Sequence, residues 1–171
     1  MGDRPPACDR KARRSRGSTL AMLQDFGKQL DERPRRNRAI ASTAGASSVN
    51  VLIVEDEPVV ALDLSATVQH EGHSVCGVAT SGEEAVELAA ALDPDVVFMD
   101  YKLEGELNGL QAAKQIRARH RARIVFVTAQ QDPATRREIM ASEPFAFIPK
   151  PFSDQAVVEV LNRACYAYGQ A

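Results

Sequence analysis

Four short apolar runs in the later part of the chain each stop abruptly at a polar residue. Val51–Val54 ends in Glu55, Asp56 and Glu57; Val97–Met99 ends in Asp100; Ile124–Val127 ends in Thr128; Phe145–Pro149 ends in Lys150. Apolar runs of this length without alternation predict strands buried on both faces. The strands are expected over 49–54, 95–99, 122–127 and 145–148, with one more over 75–79. Between them, apolar residues recur at helical spacing. The apolar sets are Val60, Leu64 and Val68; Ala85, Val86, Leu88, Ala89 and Leu92; Leu110, Ala113 and Ile116; and Val157, Val160, Leu161 and Ala164, while Thr135, Ile139 and Met140 read as the inward set of the fourth helix.

The punctuation agrees with this division. Pro58 stands where a first-turn proline is tolerated, and Gly72 closes the same helix. Ser81 followed by Glu84 reads as a capping box, Asp93-Pro94 as a stop, and Asn108-Gly109, Asp132-Pro133 and Ser153 as helix openings. Strand and helix alternate five times over residues 49–168. That order predicts an α/β fold, a doubly wound (βα)5 unit whose five-stranded parallel sheet carries helices on both faces.

Composition adds a boundary. Residues 1–49 hold eleven Lys/Arg against five Asp/Glu, whereas residues 50–171 hold ten against eighteen. Residues 1–48 therefore read as a basic, disordered extension and linker, and 49–171 as the folded domain. Within the extension, Leu20–Leu30 suits a short amphipathic helix, too short to be stable alone in water. Cys8, Cys76 and Cys165 match neither a disulfide framework nor a zinc site, and read as free thiols of a reducing cytoplasm. No apolar stretch approaches the roughly 20 residues of a membrane-spanning helix, so no membrane partner is expected. His70, His73 and His120 are isolated next to helix ends and read as surface residues.

In an open parallel sheet, ligands bind outside the carboxyl ends of the strands. Glu55, Asp56, Asp100, Thr128 and Lys150 are thus expected to converge on one rim. Adjacent acids there are costly unless a cation neutralises them. Hard carboxylate oxygens suit Mg2+, which keeps several waters and often takes a phosphate oxygen. A carboxylate so placed can be a nucleophile toward phosphorus, giving an aspartyl phosphate. Lys150 supplies a point charge that can pair with Asp100 or with a phosphoryl oxygen, and the Thr128 hydroxyl can donate to the same oxygen.

Val51–Pro58, Met99-Asp100, Val127-Thr128-Ala129 and Lys150-Pro151-Phe152 together resemble the receiver domain of two-component response regulators, over about residues 49–168. The resemblance implies a flavodoxin-like fold and makes Asp100 the phosphoacceptor. It assigns Mg2+ to Asp56, Asp100 and the backbone carbonyl of Lys102, with Glu55 acting through a bound water. Thr128 and Lys150 would hold phosphoryl oxygens, and Thr128 and Phe147 would form the switch. The loop 101–109 lacks the family's usual Met-Pro and is one residue longer, while Lys102 and Gln130 occupy positions where the family tunes loss of the phosphate. The segment Pro144–Phe152 resembles receivers of the alphaproteobacterial general stress response.

The expected function is that of a stand-alone, single-domain receiver in the cytoplasm. It accepts a phosphoryl group from a sensor histidine kinase and signals by contact with a downstream protein target or phosphotransfer protein. It is a phosphoacceptor that assists its own phosphorylation and dephosphorylation rather than an enzyme. A phosphate sink or phosphorelay intermediate is the alternative, and a homodimer through the last helix face a further contact. A phosphatase of the haloacid-dehalogenase type would need an acid where Lys102 stands. A nucleic-acid-binding regulator using the basic tail lacks any helix-turn-helix pattern.

Overall fold

A computed structural model describes residues 48–130 and 132–168. The basic extension, with its Leu20–Leu30 stretch, lies outside the described residues apart from Ser48. Five strands alternate with five helices: β1 (Asn50–Val54), α1 (Pro58–His70), β2 (Ser74–Ala79), α2 (Gly82–Leu92), β3 (Val96–Met99), α3 (Gly109–Arg117), β4 (Arg123–Thr128), α4 (Pro133–Ala141), β5 (Ala146–Pro149) and α5 (Asp154–Tyr168). All pairings are parallel, in the order β2-β1-β3-β4-β5. This is the doubly wound fold expected from the alternation, and its order reverses between β1 and β3.

The continuous apolar runs fill both faces. Successive strand residues point to opposite sides, so Val51, Ile53, Val96, Phe98, Val125 and Val127 meet α1 and α5. Leu52, Val54, Val97, Met99, Ile124 and Phe126 meet α2, α3 and α4. A register shift between Val51 and Leu52 leaves Cys76 of β2 opposite no residue of β1.

Three of the helix openings carry a capping side chain, while α1 opens at Pro58 without one. Asn108 and Gln111 exchange two 2.9 Å bonds in a full capping box at α3. The Asp132 carboxylate accepts from the Thr135 N–H and hydroxyl at α4. Ser81 accepts from the Glu84 N–H, but the Glu84 carboxylate passes Ser81 and takes the Thr80 N–H instead. A cap of this kind is worth about 1 kcal/mol.

Two further expectations need correction. Met140 is 52% exposed, while its neighbour Ile139 is fully buried. Neighbouring helix positions point about 100° apart, and the nine-residue α4 offers the sheet only one narrow stripe. The histidines also divide. His70 is exposed, but His73 and His120 are half-buried. His73 sits over Cys165 of α5, its Nδ1 buried without a hydrogen-bond partner, because the α1–β2 turn folds back onto that helix.

Candidate functional site

The strand-end polar residues are held by the sheet ladder itself. Glu55 N–H donates to Ala79, Asp100 N–H to Val54, and Lys150 N–H to Thr128, each at 2.9 Å to the carbonyl oxygen. Backbone fixed in this way leaves each side chain little choice of direction. Glu55, Asp100, Thr128 and Lys150 stand at the ends of β1, β3, β4 and β5, with Asp56 one residue beyond Glu55.

Three carboxylates and one ammonium meet there. Glu55, Asp56 and Asp100 each bring an oxygen within 4.8 Å of the others. Lys150 Nζ lies 2.7 Å from Asp100 Oδ2 and 2.8 Å from each Glu55 oxygen, donating to Oε1. Glu55 Oε2 remains buried without a hydrogen-bond partner. Asp100 Oδ1 accepts from the Lys102 N–H at 3.3 Å. Side chains of Glu55, Asp100 and Lys150 are 1%, 7% and 10% exposed, so these charges face one another rather than water.

Burial pushes the Glu55 carboxyl above its ordinary value, against the opposing pull of Lys150. At Lys150, burial disfavours the charge, but hydrogen bonds to Asp100 and Glu55 outweigh it and raise its pKa. The rim thus gathers three carboxylates against one ammonium, an excess of negative charge. Its donors are all hard oxygens, and the set fits a divalent cation of the Mg2+ type.

The remaining expected residues lie around this cluster. Thr128 is buried, and its hydroxyl accepts from the Gln130 N–H at 3.2 Å. Phe147 of β5 pairs with Phe126 of β4 on the α2–α4 side of the sheet. The guanidinium of Arg136, on α4, stands 5.2 Å from the Phe147 ring. Lys102 is exposed.

Two residues that shape the site escaped the sequence reading. A Cβ on Gly109 would lie 1.8 Å from the Asp100 carbonyl oxygen. Only glycine lets α3 begin against the acid's own backbone, and the Asn-Gly pair signalled the helix opening but not this contact. Glu83 accepts hydrogen bonds from Glu106 and Leu107, across the loop that follows Asp100. In sequence it is one more acid in a first helical turn.

Comparison with known proteins assigns a class to this geometry. The response regulator receiver domain family matches residues 51–162. The chain belongs to that family, whose general function is to accept a phosphoryl group. It is 32% identical over 149 residues to the phyllosphere-induced regulator PhyR of Methylorubrum extorquens, covering 84% of this chain and 55% of that protein. It is 38% identical over 114 residues to the chemotaxis protein CheY of Thermotoga maritima, covering 66% of this chain and 94% of that one. Among solved structures, the signal receiver domain of a modulated diguanylate cyclase from Desulfovibrio desulfuricans G20 superposes with a TM-score of 0.68 at 31% identity, over 72% of this chain and 98% of that one. The chain thus spans about half the length of PhyR and nearly all of the chemotaxis protein. No helix among the described residues is long and apolar enough to cross a membrane.

Proposed function

We propose that residues 49–171 form a receiver domain that takes a phosphoryl group from a sensor histidine kinase onto Asp100, following a basic extension over 1–48. The observation that carries this reading is the position of Asp100. It ends the central strand β3, is nearly buried, and lies 2.7 Å from a lysine that also holds Glu55. In the transfer, an Asp100 carboxylate oxygen forms the new bond to phosphorus as the phosphorus–nitrogen bond of a phosphohistidine breaks. The imidazole leaves with the bonding pair and regains its proton. Catalysis of such a step is mostly positioning and charge neutralisation.

Each neighbour has a part in this. Lys150 moves from pairing two carboxylates to holding a phosphoryl oxygen, and Thr128 can turn its hydroxyl from Gln130 toward another. Asp56, Asp100 and the Lys102 carbonyl would hold Mg2+, with Glu55 acting through a water. Magnesium there supplies positive charge to phosphoryl oxygens. The phosphoryl group adds about −1.5 to −2 charges to a rim already negative. Movement of Thr128 toward it opens space for Phe147, changing the α4–β5–α5 surface that a downstream protein reads. Hydrolysis assisted by the same residues returns the domain to rest. Half-buried free thiols at Cys76 and Cys165 suit a reducing cytoplasm.

The test is labelling by acetyl phosphate with and without Mg2+, followed over time. Metal-dependent label that is lost in Asp100→Asn is expected, and its decay rate separates a lasting signal from a phosphate sink. Label that survives in Asp100→Asn would place the acceptor elsewhere.

A further inference from the structure

Two adjacent acids open α2, and the structure gives them different work. Glu84 turns back on its own helix end, its Oε2 accepting from the Thr80 N–H at 2.8 Å and the Thr80 hydroxyl at 3.2 Å. Glu83 leaves its helix. Its Oε1 accepts from the N–H groups of Glu106 and Leu107, both at 2.9 Å, in the loop between Asp100 and α3.

The same loop is fitted to α2 at further points. Ser81 and Glu104 form an isolated parallel β-bridge. Gly105 has φ +100°, and a Cβ there would lie 2.5 Å from Glu83 Oε2. A Cβ on Gly82 would lie 2.5 Å from the Leu107 carbonyl oxygen. A side chain at Gly82 would meet backbone, and one at Gly105 would displace the Glu83 carboxylate and sit at a strained positive φ. Hydrogen bonds from its own N–H and from those of Glu106 and Leu107 keep the Glu83 carboxyl below its ordinary value, so it is an anion when it holds the loop.

At its other end the loop is tied to the site. Gly109 N–H donates to the Tyr101 carbonyl at 2.9 Å, and Lys102 N–H to Asp100 Oδ1 at 3.3 Å. Lys102 lies between these ties and the Glu83 clamp. A backbone carbonyl has no rotamer of its own; the path of the chain alone aims it.

We infer that Glu83 is a positioning residue, whose carboxylate fixes the 103–107 loop and through it the backbone at Lys102 that completes the cation site beside Asp100. The inference rests on the proposed function, since it takes the Lys102 carbonyl as a Mg2+ ligand. Glu83 touches neither the cation nor the phosphoryl group.

The experiment compares Glu83→Ala, Glu83→Gln and Glu84→Ala in the full chain, without any phosphodonor. Mg2+ affinity is measured by titration calorimetry, and amide exchange is followed at Glu106 and Leu107. Glu83→Ala is expected to weaken Mg2+ binding about tenfold, the low end for outer partners of metal ligands, and to speed exchange at both amides. Glu83→Gln keeps an oxygen acceptor and should restore most of both. Glu84→Ala loses a cap, so it should lower Tm while Mg2+ affinity stays at the wild-type level. Wild-type Mg2+ affinity in Glu83→Ala would overturn the role of Glu83 alone, as would equal weakening by Glu84→Ala. Absence of Mg2+ binding by the wild-type protein at millimolar concentration would overturn the reading of the rim itself, and this inference with it.

Discussion

The two ends of the sheet are both polar, but they handle charge in opposite ways. At the amino end, Asp95 Oδ2 accepts from the Asn50 N–H at 2.8 Å, and the Asp95 backbone bonds to both Asn50 and Arg123. Arg123 and Arg163 stand 5.5 and 5.2 Å from the Phe145 ring. These groups are half-buried or exposed, and each has local partners. At the carboxyl end, one ammonium pairs with two of three clustered carboxylates, those of Glu55 and Asp100, and the third, of Asp56, stands beside them. A fold needs only the first arrangement. The second gathers more negative than positive charge, an imbalance that the cation of the proposed function would relieve.

The sharpest way to break the contrast is steric. Gly109→Ala drives a methyl group into the Asp100 carbonyl, and since that oxygen belongs to the sheet-end backbone, neither side can yield freely. A loss of about 4 kcal/mol in urea unfolding is expected, the range in which a single change is diagnostic of a broken contact. Ala at Gly72, at the amino end, meets no atom within 4 Å and faces only its positive φ, so about 1 kcal/mol is expected there. Equal costs at the two sites would mean that α3 does not depend on its close approach to Asp100.

Charge gives the next effect. Lys150→Met leaves Glu55 and Asp100 buried together without their shared cation, and breaking a buried pair from one side costs about 3 kcal/mol. Arg123→Met removes a cation from the amino end, where the stacking over Phe145 is worth about 1 kcal/mol. Mg2+ should recover much of the loss in Lys150→Met and none of that in Arg123→Met. Urea titrations with Mg2+ and with EDTA check both; recovery of the two variants alike would make the metal effect nonspecific.

The same contrast explains what could be read from the chain. The strands were legible because residues 51–54, 97–99 and 124–127 are apolar without interruption, which only a strand covered on both faces needs. The rim was legible because Glu55, Asp100, Thr128 and Lys150 each follow such a run directly, so topology alone brings them together. Met140, His73 and Glu83 were not legible in this way. Whether Met140 faces in depends on how α4 is rotated on the sheet, whether His73 is covered depends on α5, and the partners of Glu83 lie 23 and 24 residues away in an irregular loop. Periodicity reports which face of an element is apolar; it does not report what the next element lays over it.

The smallest effect, and the finest test of the contrast, is in the pH dependence of stability. Glu55 at the carboxyl end has a raised pKa in the fold because burial opposes its charge. Its contribution to stability is complete below the ordinary glutamate value of 4.5 and is lost as pH rises through the raised one. His73 has a lowered pKa because burial opposes its charge as well, but its charged form is the protonated one. Its contribution is complete above the ordinary histidine value of 6.5 and is lost as pH falls through the lowered one. Over mildly acidic pH in EDTA the two slopes therefore oppose each other. The unfolding free energy of wild type minus that of Glu55→Gln should fall as pH rises from 4.5, while wild type minus His73→Gln should rise with pH up to 6.5. Mg2+ favours ionised carboxylates, so it should oppose the fall in the first difference and leave the second unchanged. A first difference that is flat with pH in EDTA would mean that Glu55 carries no strained charge, and that the rim is satisfied without a metal ion.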